Sequence, residues 1–347
     1  MDRIEIGIIG AGWWAATNHI PALLRNPHVS TVAINRPDKD NLDKLGRAFN
    51  LSHAFTDTAA MLDQRPLKGV VIASPHFLHA EHAALCIERN LPMLIEKPMT
   101  TSTADARDLV ARAARKGLEI LVPYGWNFKP YSEVAYEWMR QGWIGEVRHA
   151  VCQMASPLQD LFEGNGLAGT ESNIFRPATS TWADPARAGG YGWGQLSHVL
   201  GLFFLLVEHG PQRVFAVAGR SSAEVDQYDA AVIQLDNGAT ISLSGSATVP
   251  KIRGYQMDIR IFGSDGMLLL DIERERLELV RNNGETLVHP MSPGAGAYTC
   301  EEPVDRFVDI CRGQTVFNPG SGLVGMRAVE VLDAMYRSSQ SGRMEEV

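Results

Sequence analysis

A short apolar strand that runs directly into a glycine-rich turn is the feature that most constrains the fold of this chain. Residues 3–9 are predicted to form the strand, and the turn follows within GIIGAGWWAA. Gly10, Gly12 and Ala15 have G-x-G-x-x-A spacing. The first glycine permits a tight turn, the second lets a pyrophosphate approach the backbone, and the alanine lets a helix pack on the strand. The predicted cofactor contacts here are Gly10, Gly12, Trp13, Trp14 and Ala15.

Apolar runs then recur with helical patterns between them, which is typical of a parallel, doubly wound sheet. Ser102 and Asp105 have the spacing of a capping box at the start of one of these helices. The predicted strands are Arg3–Ile9, Val29–Ile34, Gly69–Ala73, Met93–Ile95 and Ile120–Val122. The predicted helices are Leu42–Phe49, His79–Arg89 and Asp105–Lys116.

The pattern changes after about residue 125. A helix at Pro130–Arg140 is followed by strands separated by the turn signals DNG (236–238), SDG (264–266) and NNG (282–284), which join antiparallel neighbours. We therefore predict an α/β protein with an N-terminal Rossmann domain, residues 1–124, and a C-terminal α+β domain with a large, mostly antiparallel sheet, residues 125–347. We also predict two closing helices, Pro303–Cys311 and Leu323–Ser338. Whether they pack back on the first domain is left open.

Composition limits the partners and the compartment. The 347 residues carry a formal charge of −8 without a lysine or arginine cluster, which argues against a nucleic acid or an anionic membrane as partner. The four cysteines form no C-x-x-C pair, and the amino terminus lacks a basic leader, so we expect a cytoplasmic protein. The apolar run Val199–Val207 is shorter than the roughly 20 residues that span a membrane.

The end of the second strand bears on the choice of cofactor. An acidic residue there binds the 2′-hydroxyl of NAD, but this chain has Asn35 and Arg36. Because Arg36 can pair with a 2′-phosphate, NADP is favoured and NAD stays possible. Alternatively, Arg36 stacks on adenine, which would serve either cofactor.

Three histidines at intervals of three, His76, His79 and His82, suggest a metal site at first sight. On a helix the outer two are about 120° apart, so the three side chains do not converge. We predict no metal site.

Several motifs resemble the Gfo/Idh/MocA oxidoreductase family, which includes glucose–fructose oxidoreductase and inositol 2-dehydrogenase. The motifs are ASPHFLHAEHAALC, LIEKPMTTS, GWNFKP, GWIGEV, EPVDRFVDICRGQ and AVEVLDAMYRSSQSGR. The resemblance implies hydride transfer between a nicotinamide and a hydroxyl-bearing carbon of a sugar or cyclitol, with Lys97 as the catalytic lysine. It also implies a homodimer or homotetramer formed through the exposed face of the antiparallel sheet. The residues implied at the nicotinamide end are Ser74, Pro75, His79, Glu96, Lys97 and Asn127.

The segment GGYGWGQLSH, residues 189–198, departs from this family. Its members commonly have D-x-x-x-H; the histidine matches His198, but the aspartate position is Gly194. His198 lies in the first turn of a predicted apolar helix, Gln195–Glu208, where the helix dipole disfavours the charged imidazolium. We hypothesise that Lys97 and a neutral His198 share the proton chemistry, with Gln195 positioning a hydroxyl. A core or capping histidine is the alternative reading.

Residues 155–194 show no periodicity but contain many aromatic side chains, which favours a binding lid. Gly194 is expected to leave room for substrate, and Tyr191 and Trp193 to offer flat faces to a sugar ring. Arg176 could select an acidic sugar or form a surface salt bridge. The predicted substrate contacts are Lys97, Tyr124, Trp126, Arg176, Trp182, Tyr191, Trp193, Gln195 and His198.

The sequence leaves three functions open. The first is a sugar, glycoside or cyclitol dehydrogenase or reductase. The second is a regulatory protein of the same fold that binds a dinucleotide, which the missing aspartate favours. The third is a sugar–sugar oxidoreductase with a tightly bound cofactor.

Overall fold

Six short strands form a parallel sheet in the first part of the chain, in a computed structural model that describes residues 3–347, and all but the edge strand β3 are largely buried. The strand order is β3-β2-β1-β4-β5-β6, in which the chain crosses over after β3. This is the doubly wound order in which ligands bind beyond the carboxyl ends of the strands. The strands are β1 (Ile4–Ile9), β2 (Val29–Asn35), β3 (His53–Phe55), β4 (Gly69–Ile72), β5 (Met93–Ile95) and β6 (Ile120–Leu121).

Helices connect these strands, and three of them begin at a side-chain cap. The carboxylates of Asp38 and Asp57 and the hydroxyl of Ser102 each accept a backbone N–H from the first turn, which confirms the predicted cap at Ser102. The short elements β3 and α3 were not predicted, because three- and seven-residue segments carry little periodicity. The helices are α1 (Ile20–Arg25), α2 (Lys39–Phe49), α3 (Thr58–Gln64), α4 (His79–Glu88) and α5 (Thr103–Arg115).

A nine-stranded sheet follows, with the order β14-β13-β12-β11-β7-β10-β9-β8-β15. Its neighbours are antiparallel except β7 and β10, which confirms a mostly antiparallel sheet. All three predicted turn signals connect adjacent strands. The strands are β7 (Val147–Ala155), β8 (Pro211–Gly219), β9 (Tyr228–Leu235), β10 (Thr240–Ser246), β11 (Gln256–Gly263), β12 (Gly266–Asp271), β13 (Arg276–Arg281), β14 (Thr286–Pro290) and β15 (Glu345–Glu346).

The remaining helices include one that is buried on every side. All ten residues of α9 are buried, and a π-helical turn, Gly192–Leu196, precedes it, so the predicted helix at 195–208 exists but is shorter. Among the described residues, the helices lack the length and apolarity that crossing a bilayer requires. These helices are α6 (Pro130–Arg140), α7 (Gln159–Phe162), α8 (Thr179–Trp182), α9 (Ser197–Leu206), α10 (Glu301–Cys311) and α11 (Gly322–Ser341).

The chain forms two structural units that are discontinuous in sequence. The first unit contains the described residues up to Pro123 together with Gly166–Thr181 and Thr299–Met326. The second contains Tyr124–Asn165, Trp182–Tyr298 and Arg327–Val347. The proposed division at residues 124 and 125 stays a prediction.

The first closing helix, α10, packs within the first unit. Asn26 donates a hydrogen bond of 2.7 Å to Asp305 of this helix. Gly69 lies so close to Phe307 and Cys311 that a side chain at position 69 would overlap both. The start of β4 is therefore held against a helix more than 200 residues later in the chain.

Candidate functional site

The glycine turn after β1 has the geometry that its sequence predicts. Gly10 has a φ of 76°, and a Cβ there would overlap the backbone of Ser74. At Gly12 the nearest atoms to an added Cβ are the Gly10 carbonyl oxygen at 3.7 Å and Arg36 Nη1 at 3.9 Å. Ala15 is fully buried at the start of a π-helical turn that leads into α1. Glycine is therefore required at position 10, whereas Gly12 leaves space beside the turn.

Asn35 and Arg36, at the end of β2, have different roles. The Asn35 side chain donates to the Phe55 carbonyl at 3.1 Å and accepts from the Thr58 hydroxyl at 3.0 Å. Its amide therefore joins β2 to the following elements, and its contact with the cofactor stays a prediction. Arg36 lies across the glycine turn, and its Nη1 donates to the Ala11 carbonyl at 3.2 Å. Its buried Nε has no hydrogen-bond partner within residues 3–347.

Two tryptophans follow the turn, with their rings edge to face at 5.2 Å. The buried Nε1 of Trp13 lacks a hydrogen-bond partner in the described part of the chain, so it is a donor suited to a ligand acceptor. The Nε1 of Trp14 instead donates to Glu96 Oε1 at 2.8 Å. The indole N–H of Trp14 is thus used to hold the Glu96 carboxylate.

Glu96 follows β5 and is held by three donors. Its Oε1 accepts from Trp14 and lies 2.7 Å from His19 Nε2, and its Oε2 accepts from the Lys97 N–H at 3.1 Å. Burial acts to raise the pKa of Glu96, but the hydrogen bond from His19 and the charge of Lys97 outweigh it and lower the pKa. Glu96 is thus a fixed carboxylate at the base of Lys97. His19, which is fully buried, was not predicted as part of this group.

Lys97 is 8% exposed although it carries an amine. Burial lowers the pKa of Lys97 to about 8, and the charge of Glu96 opposes part of that shift. The amine can therefore exist in either protonation state close to neutral pH, as an acid–base group requires. Cys300 lies near enough to influence this pKa, and the sequence did not point to it.

His79 connects the loops after β4 and β5. It is fully buried, with Nε2 2.8 Å from the Ser74 carbonyl and Nδ1 2.8 Å from the Pro98 carbonyl. Both ring nitrogens face backbone oxygens, so His79 braces these two loops, and its contact with the cofactor stays a prediction. The Ser74 hydroxyl lies 2.9 Å from His82 Nδ1, and Pro75 leads into a short 3₁₀ turn. Within the described chain there is no cluster of three His, Cys, Asp or Glu side chains that could hold a metal ion.

In the second unit, His198 is surrounded by aromatic rings. It is 5% exposed, and its imidazole makes edge-to-face contacts with Tyr298 at 5.2 Å, Trp126 at 5.4 Å and Tyr124 at 6.2 Å. Trp126 also packs against Tyr255 and donates from Nε1 to the Gly296 carbonyl at 2.9 Å. Tyr255 and Tyr298 were not predicted, because they lie in loops without a sequence signature.

The segment GGYGWG is packed tightly at its glycines. A Cβ at Gly190 would overlap Asp226, and one at Gly192 would lie 2.8 Å from the Tyr336 hydroxyl. The Asp226 carboxylate accepts the Gly192 N–H and the Tyr336 O–H, each at 2.7 Å. The segment is therefore a close-packed turn that fixes the start of α9.

Two expectations for this turn do not hold, and a third stays a prediction. Trp182 fills the space beside Gly194, since its Cζ3 would lie 2.9 Å from an added Cβ, so Gly194 does not leave room for substrate. Tyr191 is fully buried and donates to the Met154 carbonyl at 3.1 Å, so its ring presents no face to a sugar. Trp193 stacks on Tyr336 at 5.2 Å, which covers one of its faces.

Asn127 and Tyr124 pack against α9. Asn127 Nδ2 donates to the Gly201 carbonyl at 3.0 Å, and a Cβ at Gly201 would lie 2.6 Å from the Tyr124 ring. The amide nitrogen of Asn127 thus braces α9, and a contact between Asn127 and the cofactor stays a prediction. Gln195 is buried in the turn before this helix and stays a predicted substrate contact.

Arg176 belongs to the first unit and binds its own loop. Its Nη2 lies 3.4 Å from the Leu167 carbonyl and 3.7 Å from Glu171 Oε1. The structure therefore favours the surface salt bridge over the selection of an acidic sugar.

Asp229 lies beside Asp226 and makes the stability of the fold depend on pH. Burial, followed by the neighbouring Asp226 carboxylate, raises the pKa of Asp229 well above its ordinary value. In the unfolded chain an aspartate loses its proton near pH 3.9, so Asp229 opposes folding increasingly as the pH rises above about 4. We expect Asp229→Asn to raise the free energy of unfolding above about pH 5, by an amount that shrinks towards pH 4. Urea unfolding at several pH values measures this difference, and a difference independent of pH would contradict it.

Comparisons with known proteins bear on the family and the fold of the chain. A model described as "Oxidoreductase family, NAD-binding Rossmann fold" matches residues 4–124, and the GFO/IDH/MocA C-terminal domain model matches residues 133–269. D-apiose dehydrogenase of Paraburkholderia graminis is 25% identical over 360 residues, covering 100% of this chain and 90% of that protein. scyllo-Inositol 2-dehydrogenase (NADP(+)) of Bacillus subtilis is 24% identical over 308 residues, covering 86% and 87%.

Two solved structures share the fold. An oxidoreductase domain protein from Kribbella flavida superposes with a TM-score of 0.81 at 21% identity, covering 100% of both chains. Levoglucosan dehydrogenase in complex with NADH and L-sorbose superposes with a TM-score of 0.78 at 18% identity, covering 100% of this chain and 99% of the other.

Proposed function

The chain belongs to the Gfo/Idh/MocA family of oxidoreductases, and from that premise we propose that it is an NAD(P)-dependent dehydrogenase or reductase. It transfers a hydride between the nicotinamide and a hydroxyl or ketone carbon of a sugar, glycoside or cyclitol. The observation that carries this proposal is Lys97, a buried amine with a pKa of about 8. Its backbone N–H donates to the fixed carboxylate of Glu96 at the end of β5.

The residues of the first unit fit a nicotinamide dinucleotide. Gly10 brings the turn against Ser74, so the backbone there is shaped for close approach by a ligand. The buried donors Trp13 Nε1 and Arg36 Nε lack partners within residues 3–347, and a dinucleotide offers acceptors to both. We favour NADP, because the end of β2 carries Asn35 and the cationic Arg36 in place of the acidic residue that binds the 2′-hydroxyl of NAD.

The proton chemistry falls to this chain's own residues. When bound, an oxidised nicotinamide accepts the hydride that leaves the alcohol carbon. Lys97 Nζ takes the hydroxyl proton in oxidation and returns it in reduction, and its charged form stabilises negative charge on the oxygen. We assign His198 a second role in proton transfer, and the aromatic side chains around it exclude water from its ring.

Carbohydrates are the proposed substrate class. Named relatives act on D-apiose and scyllo-inositol, and Trp126, Tyr255 and Tyr298 give the second unit a cluster of aromatic side chains beside His198. Flat apolar faces with polar edges suit the face of a sugar ring. The carbohydrate screen described below is designed to identify the sugar, and its product identifies the carbon that is oxidised.

We also propose that the protein forms a homodimer or homotetramer through the outer face of the antiparallel sheet. Large apolar side chains stand exposed on this face, among them Phe215, Val217 and Val232 on β8 and β9. We expect sedimentation equilibrium to give a dimer or tetramer and Val217→Glu to shift it towards monomer. A wild-type protein that sediments as a monomer at micromolar concentration would contradict this proposal.

One experiment tests the proposed function. The purified protein is assayed for bound nucleotide and then screened with sugars, cyclitols and glycosides, using NADP and NAD in both directions. Turnover of free cofactor supports a dehydrogenase or reductase. A reduced-nicotinamide absorption band in the purified protein, with exchange between two sugars, identifies the oxidoreductase with a tightly bound cofactor. Nucleotide binding without turnover on any carbohydrate contradicts the proposal and favours a regulatory protein.

A further inference from the structure

Residues 166–181, hereafter the strap, come from the part of the sequence without periodicity but belong to the first unit. Two cationic side chains contact the Phe175 ring of the strap. Arg36 Cζ is 4.6 Å and Lys44 Nζ is 5.4 Å from its centroid. Lys44 also donates to the Ile174 carbonyl at 3.0 Å. The strap therefore meets the unit at the end of β2, where the sequence predicts the adenosine end of the cofactor.

Arg36 is oriented by two contacts. Its Nη1 donates to the Ala11 carbonyl at 3.2 Å, and Phe175 covers one face of the guanidinium. Nε and Nη2 form the other edge of the guanidinium; Nε is buried and has no partner in the described chain, and the side chain as a whole is partly exposed. This edge presents two parallel N–H donors, the geometry that binds two oxygens of one phosphate.

Lys44 supplies a second positive charge. It lies on the exposed side of α2, and its contact with Ile174 uses one of its three ammonium hydrogens. Asp38 is the acidic group whose charge acts on Arg36, and its carboxylate also accepts the Asn41 backbone and side-chain N–H groups. Asp38 therefore stays charged and attracts Arg36, and Arg36, Lys44 and Asp38 together keep a net positive charge.

The strap is held in shape by its own contacts. Thr170 donates to the Leu167 carbonyl at 2.6 Å, and Arg176 lies 3.4 Å from both the Thr170 hydroxyl and the Leu167 carbonyl. Phe175 directly precedes Arg176 in the sequence, so these contacts of Arg176 also hold Phe175 in place.

We infer that the strap orders Arg36 and Lys44, through Phe175 and the Ile174 carbonyl, as a two-cation receptor for the 2′-phosphate of NADP(H). Phe175 and Lys44 are therefore selectivity residues for the cofactor, in addition to Arg36. This inference rests on the proposed function only in that the protein must bind a nicotinamide dinucleotide.

Binding of nucleotides to the purified full chain tests the inference without a substrate. Dissociation constants for NADPH, NADH and adenosine 2′,5′-bisphosphate are measured by calorimetry for the wild type, Phe175→Ala and Lys44→Met. The controls are Phe317→Ala, an exposed phenylalanine of the same unit, and Lys68→Met. We expect Lys44→Met to weaken NADPH and the bisphosphate about 10-fold and Phe175→Ala about 3- to 10-fold, with NADH within about twofold.

The outcomes separate the inference from the proposed function. A wild type that prefers NADPH, with a preference reduced in both variants and kept in the controls, supports the inference. The same preference with no change in either variant overturns it and leaves the proposed function standing. A wild type that prefers NADH overturns it while the dehydrogenase stands. Failure to bind any of the three nucleotides rejects the proposed function itself. Lys44 is exposed, so its variant remains informative if Phe175→Ala does not fold.

Discussion

Replacing Lys97 by methionine is expected to lower kcat/KM for alcohol oxidation about 1000-fold, within the range for loss of a general acid–base group. Methionine keeps much of the side-chain volume but can neither accept the hydroxyl proton nor stabilise charge on the oxygen. Steady-state kinetics on the sugar found by the screen measure the effect. Lys68→Met serves as the surface control and is expected to keep wild-type activity.

The stability of the Lys97→Met variant distinguishes a loss of catalysis from misfolding. Burial lowers the pKa of Lys97 to about 8, whereas an unfolded lysine titrates near 10.4. The charged amine therefore opposes folding fully below pH 8, and this opposition disappears as the pH rises towards 10.4. Lys97→Met should be at least as stable as the wild type at pH 7. An inactive variant that is also strongly destabilised would leave Lys97 as a structural residue and contradict the assignment.

Replacing His198 by glutamine is expected to lower kcat about 100-fold with little change in KM. Glutamine is polar and close in size to histidine, so it keeps most of the packing against Trp126 and Tyr298. It cannot accept and release a proton during turnover. His149→Gln is the matched control, because His149 is an exposed histidine of the second unit that pairs with Thr240 on the sheet.

The alternative role of His198 predicts a different result. If it is only a core or capping histidine, His198→Gln keeps kcat within about twofold and changes the unfolding midpoint instead. Measuring kcat, KM and thermal unfolding on the same preparations distinguishes the two roles.

Local sequence signals predicted the frame of the molecule well. The turn at Gly10, the cap at Ser102 and the helix Pro130–Arg140 each depend on residues within a few positions of one another. Propensity and periodicity act over the same distance, so these elements could be read from the chain.

Contacts between distant residues could not be predicted in this way. Phe175 reaches Arg36 across nearly 140 positions, and Tyr336 reaches Asp226 across 110. No spacing in the sequence shows that the strap returns to the first unit. The sequence also did not show that the polar groups of Asn35 and His79 bind backbone and side chains of the fold itself. A polar residue at a strand end serves structure or ligand equally well until its partners are seen.

The departure from D-x-x-x-H also has a structural explanation. Trp182 lies against Gly194, and Phe162 lies 3.4 Å from the position of an added Cβ there. An aspartate at position 194 would have to displace these rings. The Asp226 carboxylate instead holds this turn, by accepting the Gly192 N–H and the Tyr336 O–H.

The pH dependence of kcat/KM for sugar oxidation, compared between the wild type and Lys97→Arg, tests the proton-transfer role of Lys97 most directly. This ratio reports the ionisation of the free enzyme. The wild type should rise with pH to a plateau above an apparent pKa of about 8, because the neutral amine is the proton acceptor. Arginine remains charged throughout, so the variant should be slow and lose that inflection. An unchanged inflection near pH 8 in an active Lys97→Arg enzyme would contradict the role of Lys97.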